Sequence, residues 1–490
     1  MDYQQLLLAL LPDLLVVVAL FAALGVDYSR MRGSRLAERF QVACQISAAG
    51  LIAGLAVILV QLTQASSFKA LASITDGQLV LDTSTLTLKA LLYAMGLGVL
   101  PLAKRDQITP QVSEYFALLL LATLGMGFVV TSRNLLGAFV ALELVSLSLY
   151  AMTVLNQAKR ASAEAALKYL TFGAVSSGFL LFGLSYLYGA TGQLDLTQMD
   201  MQRSPMLVLA YLLIFVGLGF KLALAPFHLW APDVYQNAPT PVAGWIGSGS
   251  KIAAAALLIV LLKPVSSTLK DALVPALAAL AVLSMVVGNL GALRQTNLKR
   301  LLAYSAIANA GYLLVGVVAF SEPGNTSVIF YILVYSLASL GAFGVVAVLT
   351  DTLGRDAEIS DFNGCWTKTP GLAVAFLVFV LSLAGIPPLA GFLGKFYLFY
   401  AAIGAEPGAA SWNDGFYWLV AFALIMSVVS LYYYLRVLKA FLVAPSDDGK
   451  AASIAPIKIG WAAGVTLCLL AIAVLALGLW PEPLLNLLSD

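Results

Sequence analysis

The chain has 490 residues, of which 61% are hydrophobic and 11% charged, with a formal net charge of +2 at pH 7. An average soluble domain carries about 25% charged residues, so this composition excludes a water-soluble enzyme and places the chain in a lipid bilayer; nucleic acid is not an expected partner. Three cysteines (Cys44, Cys365 and Cys468) and the single histidine, His228, are scattered without metal or disulfide spacing, which argues against a resident metal, haem or iron–sulfur centre.

A helix crossing the hydrocarbon of a bilayer needs about 20 apolar residues. About fourteen such spans fit, near 6–26, 43–63, 84–103, 113–130, 134–155, 165–189, 206–227, 240–262, 272–290, 299–320, 327–350, 371–402, 415–441 and 459–480. The expected fold is therefore an all-α polytopic membrane protein. The first run starts almost at Met1, lacks a basic leader and contains Pro12 and Asp13, so it is expected to be a true span rather than a cleaved signal.

Lysine and arginine are retained on the cytoplasmic side of membrane proteins. Loops after odd-numbered spans hold eighteen of the 27 basic residues, from Arg30 to Lys458. The other side holds five: Lys69, Arg133, Arg203, Lys263 and Lys270. This places both termini on the outer, periplasmic face of the cytoplasmic membrane. The basic loops then need no further reading than topology.

Four basic residues remain, Lys89, Lys221, Lys251 and Lys395, and each falls inside a span, where a charge costs several kcal/mol unless paired or hydrated. Among acidic residues Asp13 and Glu143 are similarly deep. Glu143 and Lys251 sit near the middle of spans five and eight. Lys221 in span seven is followed by Pro226, and Lys395 in span twelve is preceded by Pro387, Pro388, Gly391 and Gly394. Proline removes a backbone donor and breaks the helix, and broken helices survive at membrane depth only beside protein or water. Lys89, in a threonine-rich stretch, and Asp13 read as structural. Tyr432, Tyr433 and Tyr434 read as packing or interfacial aromatics.

Matching broken helices in two halves of a chain point to inverted repeats around a transport site. Spans seven and twelve are five apart, and an odd offset reverses direction. The expected organisation is an N-terminal three-helix segment over 1–112, a first inverted five-helix repeat over 113–262, a second over 272–441, and a final helix within 442–490.

The stretches "GLGFKLALAPFHLWAPDVYQNAPTPV", "SKIAAAAL", "GNLGALRQTNLKRLLAYSAIANAGYLLVG", "SLAGIPPLAGFLGKFY" and "LYYYLRV" resemble the antiporter-like membrane subunits of proton-pumping NADH:quinone oxidoreductase, respiratory complex I. Subunit N is the nearest type, because Lys395 stands where subunit M typically has a glutamate and no long lateral helix of the subunit L kind follows span fourteen. The resemblance implies a proton relay in which Glu143 partners Lys221, Lys251 is central and Lys395 terminal, driven by redox chemistry elsewhere. NADH, FMN, iron–sulfur clusters and quinone would belong to partner subunits, this chain holding no cofactor, and subunits K and M would be its membrane-arm neighbours. Several relatives carry a histidine where this chain has Asn309, so water and Lys251 are expected to bridge a missing titrating group.

Each group also has a plainer reading. Glu143 and Lys221 would then be a static ion pair, Lys251 and Lys395 lysines snorkelling to the interface, and His228 either a point where protons enter or a hydrogen-bonded structural residue. A passive scaffold has no use for so many buried charges. The remaining alternative is a stand-alone or Mrp-type cation/proton antiporter subunit, but a sodium site wants several carboxylates, and the chain offers one mid-membrane acid against three lysines.

Overall fold

A computed structural model describes residues 3–68, 75, 77–103, 109–155, 160–199, 201–353, 358–405, 416–442 and 459–489. The basic residues Lys69, Lys104, Arg105, Lys159, Arg355, Lys450 and Lys458, used above for orientation, lie outside the described residues. Among the described residues, 13 helices are long and apolar enough to cross a membrane, and two shorter apolar helices, Pro370–Ala384 and Ala390–Ile403, lie where a single span over 371–402 was expected. This is the all-helical architecture expected.

The chain divides into two compact units. The first comprises Met1–Leu218, Gly249–Lys270 and Asn486–Asp490. It contains α1 (Tyr3–Arg30), α2 (Leu36–Thr63), α3 (Thr83–Val99), α4 (Val112–Thr131), α5 (Leu135–Val154), α6 (Arg160–Thr191), most of α7 (Pro205–Leu222) and α10 (Gly249–Leu262). Within it α4 is a hub, packing on α1, α2, α3, α5 and α10.

The second unit comprises Gly219–Ser248 and Asp271–Leu485. It contains α8 (Trp230–Asn237), α9 (Thr240–Gly247), most of α11 (Ser267–Leu293), α12 (Leu298–Val317), α13 (Glu322–Leu353), α14 (Cys365–Lys368), α15 (Pro370–Ala384), α16 (Ala390–Ile403), α17 (Tyr417–Leu442) and α18 (Trp461–Leu479). Here α13 is the hub: its apolar stretch is 94% buried, and α9, α12, α15, α16 and α18 all pack on it. The chain ends in α19 (Glu482–Ser489).

Asparagines start two corresponding helices. Asn134 caps α5 by accepting from Leu136 N and Gly137 N, and Asn297 caps α12 by accepting from Arg300 N, each satisfying donors that a helix start leaves open. Each cap also pairs with an acidic residue further on, Asp195 for Asn134 and Glu358 for Asn297. Asn297 follows Asn134 by the same number of residues as Glu358 follows Asp195.

Two expectations need correction. Span eight has the expected bounds, Thr240–Leu262, but is interrupted: α9 ends at Gly247, Ser248 leaves helical geometry at φ −121°, ψ −80°, and α10 starts at Gly249. The run Gly247-Ser248-Gly249-Ser250 has poor helix propensity, which hydropathy averaging conceals. Lys299 is not a loop cation either. It is the second residue of α12, 4% exposed, and its Nζ donates to Ala238 O at 3.3 Å.

Candidate proton-transfer sites

Glu143 lies on α5, about 12 Å along the helix from its start at Leu135 at 1.5 Å per residue. It is half-buried, and its Oε1 accepts a 2.6 Å hydrogen bond from Ser177 Oγ of α6. Lys251 is the third residue of α10, three positions after the break at Ser248, and is 1% exposed. Both belong to the first unit.

Lys221 occupies the last turn of α7 and is 9% exposed, with Nζ 5.7 Å from the centre of the Phe220 ring. Beyond Leu222 the chain leaves the helix through Ala223 at φ 60°. The carbonyls opened by this break do not all stay free. Leu224 N donates to Gly219 O at 2.7 Å, while Phe220 O accepts from Ala223 N at 3.0 Å and from the Trp230 indole at 3.1 Å. His228 lies in the same break, half-buried, and its Nδ1 is enclosed without a hydrogen-bond partner among the described residues.

The second break is built differently. A helical carbonyl normally accepts from the N–H four residues on, so Leu383 O and Ala384 O would need donors at positions 387 and 388. Both positions are proline and have none. Lys395 Nζ takes those carbonyls instead, at 3.4 Å from Leu383 O and 3.2 Å from Ala384 O. It also reaches Ser427 Oγ at 3.2 Å and stands 4.8 Å over the Tyr312 ring. Gly385 makes the turn at φ 82°, and a Cβ there would lie 3.0 Å from Lys395 Cδ. The lysine is 5% exposed. It is held inside the second unit.

Beside Lys395 is a cavity lined by Asn309, Tyr331, Tyr335 and Ser382 among others, with room for about one water. Asn309 is fully engaged: Oδ1 accepts from the Tyr331 hydroxyl at 2.7 Å, and Nδ2 donates to Ser305 O at 2.8 Å. The Ser305 and Tyr434 hydroxyls share a 2.5 Å hydrogen bond. A parallel set joins Tyr433 to Asn289 Oδ1 at 3.2 Å and Asn289 Nδ2 to the Tyr312 hydroxyl at 3.1 Å. Tyr433 and Tyr434 are therefore buried parts of a polar network, not interfacial aromatics. Only Tyr432 is exposed, at 64%. Steps of 100° around a helix separate three consecutive tyrosines into one lipid-facing and two interior residues.

Lys89 and Asp13 form a pair that sequence reading left separate. Lys89 Nζ lies 2.6 Å from Asp13 Oδ2, and the Tyr93 hydroxyl donates to Asp13 Oδ1 at 2.7 Å. Lys89 and Tyr93, four residues apart, share one face of α3. That spacing was a visible signal, and the partner on α1 was not. The structural reading of both residues fits this clamp. Arg39, counted above as a topology signal, also holds the buried Asp27 through two bonds of 2.7 and 2.6 Å.

Residues 132–430, which contain Glu143, Lys221, Lys251 and Lys395, match the family described as NADH:quinone oxidoreductase/Mrp antiporter, TM. The chain belongs to this family. Among its antiporter-like relatives is NADH-quinone oxidoreductase subunit N 2 of Acidobacterium capsulatum, 44% identical over 99% of both chains. NAD(P)H-quinone oxidoreductase subunit 2 of Synechocystis sp. is 36% identical over 98% of this chain and 92% of the relative. A chain of respiratory complex I from Thermus thermophilus, solved with bound aureothin, superposes with a TM-score of 0.79 at 33% identity, covering 98% of this chain and 100% of that one. A chain of the Mrp complex from Dietzia sp. also reaches 0.79, at 22% identity, which shows a shared fold alone. This member of the antiporter-like family is a multi-pass, proton-translocating subunit of NADH-quinone oxidoreductase, and other subunits of that complex are its partners. The Mrp alternative is the less supported of the two.

Proposed function

We propose that this antiporter-like subunit carries protons through Glu143, Lys221, Lys251 and Lys395, with His228 at a point where protons enter. Redox chemistry with NADH, FMN, iron–sulfur clusters and quinone takes place in other subunits, and this chain contributes the path without a redox centre. The observation that carries the reading is Lys395 Nζ seated on Leu383 O and Ala384 O beside a water-sized cavity. Desolvation disfavours the charged form of a buried lysine and a carboxylate at its side restores it, so a change in the charge balance around such a lysine loads or releases a proton. The two asparagine caps with their evenly spaced acidic partners support two inverted repeats, 113–262 and 272–441, flanked by 1–112 and 442–490. The subunit lies in the cytoplasmic membrane with both termini outside, between subunits K and M.

The test is to measure proton translocation and quinone reduction in membranes where assembly of each variant complex is verified. Lys221→Ala, Lys395→Ala and Glu143→Gln should each depress both rates. The Lys221→Ala/Glu143→Gln pair should be far from additive, since residues in one network share their effect. Lys221→Arg should rescue poorly, because guanidinium stays protonated. Wild-type rates in an assembled Lys221→Ala or Lys395→Ala complex would show that the lysine is structural.

A further inference from the structure

The hub helix α13 carries a line of hydroxyls that the relay of charged residues does not use. Tyr331, Tyr335 and Ser339 recur at four-residue steps and so share one face, spanning about 12 Å of helix axis. One end of this line is the cavity beside Lys395, whose wall includes both tyrosines. The Tyr335 hydroxyl meets the Ser339 side chain, and Ser339 faces Gly247 at the end of α9. One turn back, Ser336 Oγ donates to Ser248 O at 3.3 Å. The line therefore ends at the break three residues before Lys251 in the chain. All of these groups lie within the second unit.

The two tyrosines are not equivalent. The Tyr331 proton points at Asn309 Oδ1, and the Asn309 amide directs its own donors at Ser305 and the Tyr434 hydroxyl. A carboxamide does not accept and release protons near neutral pH, so a route through position 309 stops there. Tyr335 leads instead to a hydroxyl, which can accept one proton while giving up another.

We propose that Tyr335 and Ser339 carry a proton between the cavity beside Lys395 and the helix break at Ser248. The proposal rests on Lys395 being a relay group. Lys395 Nζ gives one proton to the cavity water, which passes one of its own to the Tyr335 oxygen as the Tyr335 proton moves to Ser339. The Ser339 proton then leaves to a water at the break. Each oxygen gains one proton and loses one, no tyrosinate forms, and rotation of the hydroxyls restores the starting state.

The test uses the assembled oxidoreductase in membranes and follows proton translocation together with the ratio of rates in H2O and D2O. Tyr335→Phe keeps the ring and removes the hydroxyl, and should lower translocation by about tenfold or more, as loss of a positioned proton-transfer group does. Ser339→Ala should do the same and carries the test should Tyr335→Phe fail to assemble. In both, the isotope ratio should rise, because proton transfer becomes limiting. Tyr331→Phe, which removes a hydroxyl from the same cavity wall, should stay within about twofold of wild type. Wild-type translocation in Tyr335→Phe and Ser339→Ala while Lys395→Ala is inactive would overturn the hydroxyl line and leave the lysine relay standing. Wild-type translocation in Lys395→Ala would remove the relay itself. Equal losses in Tyr331→Phe and Tyr335→Phe, or losses with an unchanged isotope ratio, would reduce the line to packing.

Discussion

Removing the Asp13 carboxylate should loosen α1 from α3 without touching the relay. Asp13 is 3% exposed and Lys89 0%, so Asp13→Ala strands a lysine enclosed by protein together with the Tyr93 hydroxyl that shares the same acid. Breaking a buried ion pair from one side costs about 3–5 kcal/mol, and a stranded buried hydroxyl about 1–3 kcal/mol. The two costs overlap because one carboxylate serves both groups. We expect about 4 kcal/mol, or close to a thousandfold in the local opening equilibrium at about 1.4 kcal/mol per decade. Amide hydrogen exchange on the purified complex would read this as faster exchange in peptides from α1 and α3. Asp13→Leu/Lys89→Met removes both charges and fills the space with apolar atoms, and should recover most of the loss, with proton translocation close to wild type. Unchanged exchange in Asp13→Ala, or a double variant as loose as the single one, would refute the reasoning.

Gly385→Ala puts a side chain at φ 82° and a Cβ 3.0 Å from Lys395 Cδ, so it should cost about 1–2 kcal/mol in backbone strain and displace the lysine; thermal inactivation and proton translocation should both worsen, and wild-type values for the two together would contradict the described turn. Arg300→Ala breaks a 2.7 Å contact with Asp233 between side chains 30% and 27% exposed, and should change thermal stability by less than about 1 kcal/mol; a larger loss in a melting experiment would mean the pair is shielded from water.

The spans were legible because membrane crossing imposes length and apolarity on every segment, and the lysines stood out because so little else is charged. Even the acceptors for Lys395 could be read from the chain, since prolines at 387 and 388 silence the donors that Leu383 and Ala384 require. Asp13 and Lys89 could not be paired in this way. They lie 76 residues apart, and nothing local says which faces of α1 and α3 meet. The hydroxyls of Tyr433 and Tyr434 were hidden for a similar reason: whether a tyrosine faces lipid or protein depends on helix rotation, which the apolar background does not reveal. At Ser248 the signal was present in four weak helix formers, but a hydropathy average is blind to backbone propensity. Lys299 was misassigned because a positive charge near a span end looks the same whether it points outward or is covered by another helix.

The seating of Lys395 has an evolutionary consequence. Its two backbone acceptors are created by what positions 387 and 388 lack, so no side-chain change at the lysine itself can abolish them. A lineage that lost the lysine would inherit two dehydrated carbonyls in the protein interior, and would have to recruit a water or another cation, or replace both prolines to close the helix. Single mutations at any one of the three positions leave the other two mismatched. Lysine and prolines are therefore expected to be kept or lost as a set, and a paired Pro-Pro ahead of a buried cation becomes a heritable unit rather than three independent choices.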